Sequence, residues 1–302
     1  MHDTQQWITD GGIETALVDR LGQDLPEFAA FVLLDSAEGR RALREYYAPF
    51  IELADASDLP IVLDTPTWRA NPDWGELLGA DDARLERINE DAAAFVREVA
   101  DEIAPDAEVV VNGCVGPRSD EFEAERRMTA EEAQRYHAPQ VAALAAAGAD
   151  RITAVTVLDA AEGIGVARAA MALRVPAFVS FTVGGDGRLA DGSSLSEAIA
   201  EADAATGGGI EGYLVNCAHP SEVAEGLRDG SAALSRIAGF RLNAAREGDD
   251  GPGDEPTAFA AGVLALRALA PNARVFGGCC GTDAPHLDAL AGLLRGTPAS
   301  SR

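Results

Sequence analysis

The sequence predicts a single (β/α)8 TIM barrel spanning residues 1–302. Eight short runs rich in β-branched and aromatic residues alternate with longer patterns of alanine, leucine, glutamate and arginine, as expected for βα units around a parallel sheet. The chain has 302 residues, of which 47% are hydrophobic, so one barrel can fill its core without a second domain. A doubly wound open sheet is the alternative.

The predicted strands and helices alternate along the chain. The strands are residues 7–10, 61–65, 109–113, 151–155, 177–182, 212–217, 240–243 and 274–279. The helices between them include residues 36–54, 81–103, 129–147, 163–172, 194–206, 221–228 and 257–269. Thr129, with Glu132 three residues later, and Ser221 provide capping signals for two of these helices.

The charge of the chain excludes several function classes. Acidic residues number 50 against 24 basic ones, and a net charge of -26 repels nucleic acid and anionic membranes. All the basic residues are arginines, so lysine-based Schiff-base and phosphate-loop chemistry is absent. The first residues show no signal-peptide pattern and no run is apolar for a membrane-spanning length, so we expect a cytoplasmic protein.

Two adjacent cysteines lie between glycines near the end of the chain. The stretch contains Gly277, Gly278, Cys279, Cys280 and Gly281. Neighbouring side chains in a strand face opposite sides, so both thiols can face one site only if the strand ends here. We expect the three glycines to provide the backbone freedom for that break.

A third cysteine completes a candidate metal site. Cys217 follows the sixth predicted strand, and three thiolates with an open fourth position predict a soft metal ion, Zn²⁺ first. The alternatives are cysteines buried as small hydrophobes and a strained disulfide between Cys279 and Cys280. Cys114 is predicted to be a core residue.

Other polar residues follow the predicted strands, where barrel enzymes build their sites. The resulting candidates for substrate contact are Asp10, Gly11, Gly12, Glu14, Thr67, Trp68, Thr156, Asn216 and His219. Trp68 offers an aromatic face for a cation, although packing is an equal alternative. His219 is expected to hydrogen-bond near the metal, and His2, His137 and His286 are expected to be surface or structural.

Three motifs together resemble the homocysteine S-methyltransferase family. They are Asp10-Gly11-Gly12, Asn216-Cys217 and the stretch from Gly277 to Thr282. Weaker similarity comes from residues 65–70 and from Gly116-Pro117, and the resemblance covers nearly the whole chain. It implies a TIM barrel that transfers a methyl group to a thiol, with Cys217, Cys279 and Cys280 as catalytic zinc ligands, and with Asp10, Gly11 and Gly12 binding substrate.

The chemistry implied by this resemblance needs two small molecules. A metal-bound acceptor thiol, homocysteine first, would be deprotonated and would become methionine on methylation. The methyl donor must carry a good leaving group, so a sulfonium or a quaternary ammonium ion is expected. A relative with another thiol or donor is an alternative, as is a zinc-binding barrel subunit that works with a methyl-carrying partner protein.

The chain departs from the family pattern after the fourth strand. Val155 stands where the family has a glutamate for the substrate's amino group, and Thr156 of that pair remains. Asp159 or Glu162 could reach back, although acids also favour a helix N-terminus. Glu14, where the family commonly has glycine, could supply the negative charge. The charged and glycine-rich segment 247–256 is expected to be a mobile loop, either a solvated linker or a lid.

Overall fold

Eight parallel strands form a closed barrel in the computed structural model, which describes residues 5–120, 126–249 and 251–296. The strands are β1 Trp7–Thr9, β2 Ile61–Asp64, β3 Val109–Val115, β4 Arg151–Val157, β5 Ala177–Phe181, β6 Gly212–Asn216, β7 Ile237–Leu242 and β8 Val275–Gly278. Each strand pairs with the next one in the chain, and β8 pairs with β1. The barrel prediction is confirmed, and the open sheet is excluded.

Helices cover the outside of the barrel. They are α1 Ile13–Thr15, α2 Ala37–Ser57, α3 Pro72–Leu77, α4 Asp82–Ile103, α5 Ala130–Ala146, α6 Ala160–Ala172, α7 Leu195–Thr206, α8 Pro220–Gly226, α9 Pro256–Ala265 and α10 Ala284–Gly296. A π-helical turn covers Ala16–Arg20, and 3-10 turns cover Pro26–Phe28, Ala30–Asp35, Ala232–Arg236 and Leu266–Ala268. Helices α1, α3 and α10 were not predicted. No helix in the described ranges is long and apolar enough to cross a membrane.

The local sequence explains where most helices begin. Thr129 and Ser194 form capping boxes with the glutamates three residues later, at the starts of α5 and α7. The predicted cap Ser221 is wrong, because it lies inside α8 and His219 is the N-cap. The Nδ1 atom of His219 accepts the Ser221 backbone N–H at 3.2 Å.

The apolar core has two parts. The larger part lies between the strands and the helices, and it includes the buried side chains Leu43, Phe50 and Val96. The smaller part lies among strand residues and consists of Trp7, Val62, Phe178, Leu214 and Val275. Strands buried on both faces explain why the predicted runs are almost continuously apolar.

The glycines of β8 are needed for close packing, not for an unusual backbone angle. A Cβ atom on Gly277 would overlap Thr9 Oγ1, and one on Gly278 would overlap Thr282 Oγ1. Of the three glycines around the cysteines, Gly281 alone has a positive φ, of 74°. The prediction that Gly277 and Gly278 end the strand by adopting unusual φ angles is therefore wrong.

Substituting Gly277 by alanine should destabilise the protein, because the new methyl group has no space beside Thr9. Overpacking of this kind costs about 1–3 kcal/mol or more. Equilibrium urea unfolding measures the change. The matched control is Gly292→Ala in α10, where nothing lies within 4 Å of a Cβ atom. Alanine should stabilise that helix by up to about 1 kcal/mol. Equal unfolding midpoints for the two variants would contradict this account.

Candidate active site

Three cysteine side chains meet at the C-terminal end of the barrel. Cys217 follows β6, and Cys279 and Cys280 follow β8. Their sulfur atoms all lie within 4.8 Å of one another, and the sulfurs of Cys217 and Cys280 are 3.9 Å apart. Sulfurs bound tetrahedrally to one zinc ion at about 2.3 Å would be about 3.8 Å apart. The arrangement therefore fits a metal ion with three protein ligands and one open position.

The three thiols are electrostatically coupled. Hydrogen bonds from Cys217 and Cys280 lower the pKa of Cys279 well below its usual value. The same hydrogen bonds raise the pKa of Cys217 and of Cys280, which keep their protons as donors. The cluster therefore favours ionisation of Cys279 over that of Cys217 and Cys280.

Two strand ends beside the cysteines are strained. Cys217 has a φ of 54° and Thr156 a φ of 61°, both in the left-handed region, which costs about 1–3 kcal/mol. Asn216 holds Thr156: its Oδ1 accepts the Thr156 backbone N–H at 2.9 Å and the Ser180 hydroxyl at 2.6 Å, and its Nδ2 donates to Thr156 Oγ1 at 2.8 Å. Cys217 is held through its backbone, since its N–H donates to the Arg241 carbonyl at 3.2 Å and its carbonyl accepts the Thr182 hydroxyl at 3.3 Å.

The opening glycines pack directly on the cysteine turn. A Cβ atom on Gly12 would lie 2.5 Å from the carbonyl oxygen of Cys279, and one on Gly11 would lie 2.8 Å from that of Thr282. Gly11 and Gly12 thus form one wall of the site that contains Cys279 and Cys280.

A cavity adjoins the cysteines. Besides the cysteine triad, it is lined by the predicted residues Gly11, Gly12, Glu14, Trp68, Thr156 and Asn216, and by Ile13, Phe28, Asp64, Thr65, Cys114, Val155 and Arg241. Cys114 is buried as predicted and also borders this cavity.

Asp10 contacts the protein and does not line the cavity. It is 0% exposed, and its Oδ1 atom pairs with Arg241 Nη2 at 2.6 Å. Arg241 also pairs with Asp64, whose Oδ1 accepts from Asn112 Nδ2 at 2.6 Å. Burial raises the pKa of Asp10 to about 7, although Arg241 offsets part of that effect. Burial opposes the charge of Arg241, but Asp64 and Asp10 raise its pKa well above the usual value.

The sequence analysis did not identify Arg241 and Asp64. The signal was present, because each is a charged residue in an otherwise apolar strand, in Phe240-Arg241-Leu242 and Ile61-Val62-Leu63-Asp64. A charge at such a position is rare unless it is paired.

Two further predicted residues have other partners. Thr67 is fully buried, where its Oγ1 donates to the Cys114 carbonyl at 2.7 Å. His219 Nε2 contacts Asp254 Oδ2 at 3.1 Å. Neither lines the cavity. Among the residues that the structure describes, the metal-binding candidates are the three cysteines without His219.

The acids after β4 do not reach back to the site. Asp159 caps α6, since its Oδ1 accepts the Glu162 N–H at 3.0 Å, and its Oδ2 lies 3.4 Å from Arg127 Nε. Glu162 Oε1 accepts the Arg118 N–H at 2.7 Å and contacts His137 Nε2 at 2.8 Å. Val155 therefore leaves the β4 side of the cavity without a carboxylate.

The remaining histidines have structural contacts. His137 is completely buried beside Glu162, so of the two predicted alternatives it is structural. His286 contacts Asp283 Oδ1 at 2.8 Å and the Asp254 carbonyl at 3.1 Å. His2 lies outside the described residues.

The segment 247–256 is anchored beside the cysteine turn. Asp254 accepts from two histidines, His219 and His286, and its N–H donates to the Ala244 carbonyl at 2.7 Å. Ala244 in turn donates to the Cys280 carbonyl at 3.1 Å. Asp250 lies outside the described residues, and no described residue of the segment lines the cavity.

Two aromatic residues form part of the cavity wall. Trp68 is packed against Gly116, whose N–H donates to the Trp68 carbonyl at 3.1 Å. Phe28 also lines the cavity and was not predicted; it lies in a turn where Glu27 and Phe28 have φ values of 52° and 57°.

Glu14 is a cavity residue with no ion-pair partner among the residues described. It lies in α1, is partly buried, and forms no salt bridge in the described ranges. Burial raises its pKa to about 8, and the negative charges of Cys279, Asp64 and Asp10 add to the shift, while its own backbone N–H offsets part of it.

Replacing Arg241 by methionine should destabilise the protein strongly, because Asp10 and Asp64 would lose their shared cation. Breaking a buried pair in this way costs about 3–5 kcal/mol. Urea unfolding of the reduced protein tests this. Arg228→Met, which removes an exposed pair with Glu225, is the control and should cost less than about 1 kcal/mol. A loss no larger than the control's would show that the network contributes little.

Glu14→Gln should change the pH dependence of stability. The folded protein holds the Glu14 proton up to a pH of about 8, whereas the carboxyl ordinarily loses it near 4.5. Stability from this group is therefore present at low pH and lost as the pH rises between these values. The melting temperature of Glu14→Gln relative to the original protein should rise from pH 5 to pH 8.5 in metal-free, reduced samples. Asp19→Asn, an exposed acid nearby, is the control. A constant difference would contradict the burial of the Glu14 charge.

The comparisons with known proteins agree with this geometry. The homocysteine methyltransferase MmuM from Escherichia coli, in its metallated form, superposes with a TM-score of 0.76, at 22% identity over 97% of both chains. Its oxidized form gives a TM-score of 0.75, at 22% identity over 96% of both chains. No curated protein gives a significant match. The family model for homocysteine S-methyltransferase matches residues 7–294. The chain therefore belongs to the homocysteine S-methyltransferase family.

Proposed function

We propose that this chain is a zinc-dependent S-methyltransferase that moves a methyl group from a sulfonium or quaternary ammonium donor to a thiol. Homocysteine is the first acceptor, and methionine the product. The observation that carries the proposal is the cluster of three free cysteines within 4.8 Å of one another, beside the cavity.

The zinc site would use Cys217, Cys279 and Cys280. When bound, zinc would keep the acceptor thiol in its ionised, nucleophilic form at neutral pH. The chain's contribution is to hold the three sulfur atoms close enough together to bind one metal ion. The Thr182 hydroxyl and the Arg241 carbonyl hold the backbone of Cys217, and Gly12 lets the turn of Cys279 and Cys280 pack closely.

The cavity would hold the acceptor between the opening glycines and the strand ends. Gly11 and Gly12 line it with backbone groups, and Thr156 adds a hydroxyl held by Asn216. Asp10 would act indirectly, by orienting Arg241 on the cavity wall. Bringing sulfur and methyl carbon into line is the main contribution that such a site can make.

The donor side of the proposal depends on charge and aromatic surface. Phe28 and Trp68 line the cavity, and aromatic faces attract sulfonium and ammonium cations. The chain's net charge of -26 also favours the approach of a cation. A new sulfur–carbon bond forms as the donor's bond to the methyl breaks. The donor leaves as a neutral thioether or amine, and the acceptor's proton passes to solvent.

The proposed location is a reducing compartment, the cytoplasm. Three closely spaced cysteines stay available to a metal only while they are reduced. The described cysteines are all free thiols.

Cys279→Ser should remove both the metal and the reaction. We expect bound zinc per chain to fall at least about tenfold, because a thiolate ligand is lost. Methyl transfer from S-methylmethionine and from glycine betaine to homocysteine should fall to background. Cys114→Ser is the matched control and should retain zinc, since Cys114 is outside the triad.

X-ray absorption on the reduced, zinc-loaded protein adds a direct measurement. The proposal expects three sulfur ligands, and one more when homocysteine is added. Unchanged zinc content and activity in Cys279→Ser would overturn the proposal. If homocysteine adds no sulfur ligand to the zinc ion but another thiol does, the proposed acceptor changes and the proposed zinc-dependent methyl transfer stands.

A further inference from the structure

We infer that Glu14 is the specificity-determining residue that binds an ammonium group of the acceptor, with Asp64 as a second carboxylate. The acceptor site is then built for an aminothiol, and its amine lies on the β1–β2 side of the cavity, away from the end of β4. This inference rests on the proposed function, because it assumes that the acceptor's sulfur lies at the cysteines.

The charges on the cavity wall leave room for one cation. The wall contains Glu14, Asp64 and Arg241 as its charged side chains, apart from the cysteines. Arg241 is already shared by Asp10 and Asp64. The two acids of the wall thus outnumber its single cation by one, and Glu14 has no cation of its own in the described part of the chain.

The position of Glu14 suits a group attached to a thiol at the cysteines. It lies two residues after Gly12, whose backbone packs on the Cys279 carbonyl. Glu14 and Cys279 both line the cavity. An ammonium a few bonds from the acceptor's sulfur would therefore reach Glu14 while the sulfur reaches the triad.

The β4 side of the cavity cannot provide the same contact. Val155 and Cys114 line it there without charge. The nearest acids in the sequence have other partners. Asp159 pairs with Arg127, and Glu162 contacts His137 and the Arg118 N–H. An amine placed on this side would meet no free carboxylate among the residues described.

Burial makes the missing cation costly. A partly buried carboxylate without a partner favours its neutral form, as the raised pKa of Glu14 shows. A bound ammonium would supply both charge and hydrogen bonds, and would stabilise the ionised form. Asp64 can share the interaction, since each of its oxygens has one described partner.

Three matched thiols test the inference. Homocysteine, 3-aminopropane-1-thiol, which lacks the carboxylate, and 4-mercaptobutanoate, which lacks the amine, are bound to the zinc-loaded protein in calorimetric titrations. Glu14→Gln should weaken both amine-containing thiols about tenfold or more, because a charge-assisted contact is lost. Binding of 4-mercaptobutanoate should change less than about twofold. Asp64→Asn should weaken the same two thiols, and the exposed control Asp19→Asn should weaken none.

Each outcome decides the inference. Equal weakening of all three thiols in Glu14→Gln would overturn it, as would no change in any of them. If a variant fails to fold, titrations of the original protein still test the inference. Equal affinity of that protein for homocysteine and for 4-mercaptobutanoate would also overturn it. Methylation of 4-mercaptobutanoate as efficiently as homocysteine would reject the inference and leave the proposed function standing. No methylation of any thiol would reject the proposed function itself.

Discussion

The close packing of the chain's first strand on its last turn is the constraint on which the site depends. Thr9 and Thr282 occupy the space that side chains at residues 277 and 278 would need, and the carbonyls of Thr282 and Cys279 occupy the space that side chains at residues 11 and 12 would need. This contact closes the barrel between β1 and β8. It also brings the cysteine turn against α1, so one set of backbone contacts both completes the fold and forms a wall of the cavity.

The site stores strain that the surrounding hydrogen bonds hold. Cys217 and Thr156 adopt left-handed backbone at the ends of β6 and β4. Asn216, the residue before Cys217, is buried and uses its amide on both Thr156 and Ser180. A buried amide that joins three strands holds this end of the barrel more rigidly than a loop would.

Features encoded locally were predictable, and features that depend on distant pairing were not. The hydrophobic pattern of the sequence predicted all eight strands and the long helices. Because two adjacent cysteines can face one site only after a strand has ended, the sequence also predicted that Cys279 and Cys280 meet Cys217. The contact of Arg241 with Asp10 joins residues 231 positions apart, and nothing near Asp10 in the sequence indicates that its carboxylate points to an arginine. Phe28 was missed for a related reason, since its place on the wall depends on an irregular turn. The glycines of β8 were identified, but for the wrong cause, because their neighbours Thr9 and Thr282 approach only in the folded barrel.

The distribution of charge in the cavity separates the parts that hold the fold from those left for a ligand. Arg241 is satisfied by two acids, and removing it would leave both of them buried without a cation. Glu14 has no described cation beside it, and burial raises its pKa. A perturbed acid that lines a cavity is a candidate for binding a ligand. An acceptor that carries a positive charge would supply the missing partner on binding.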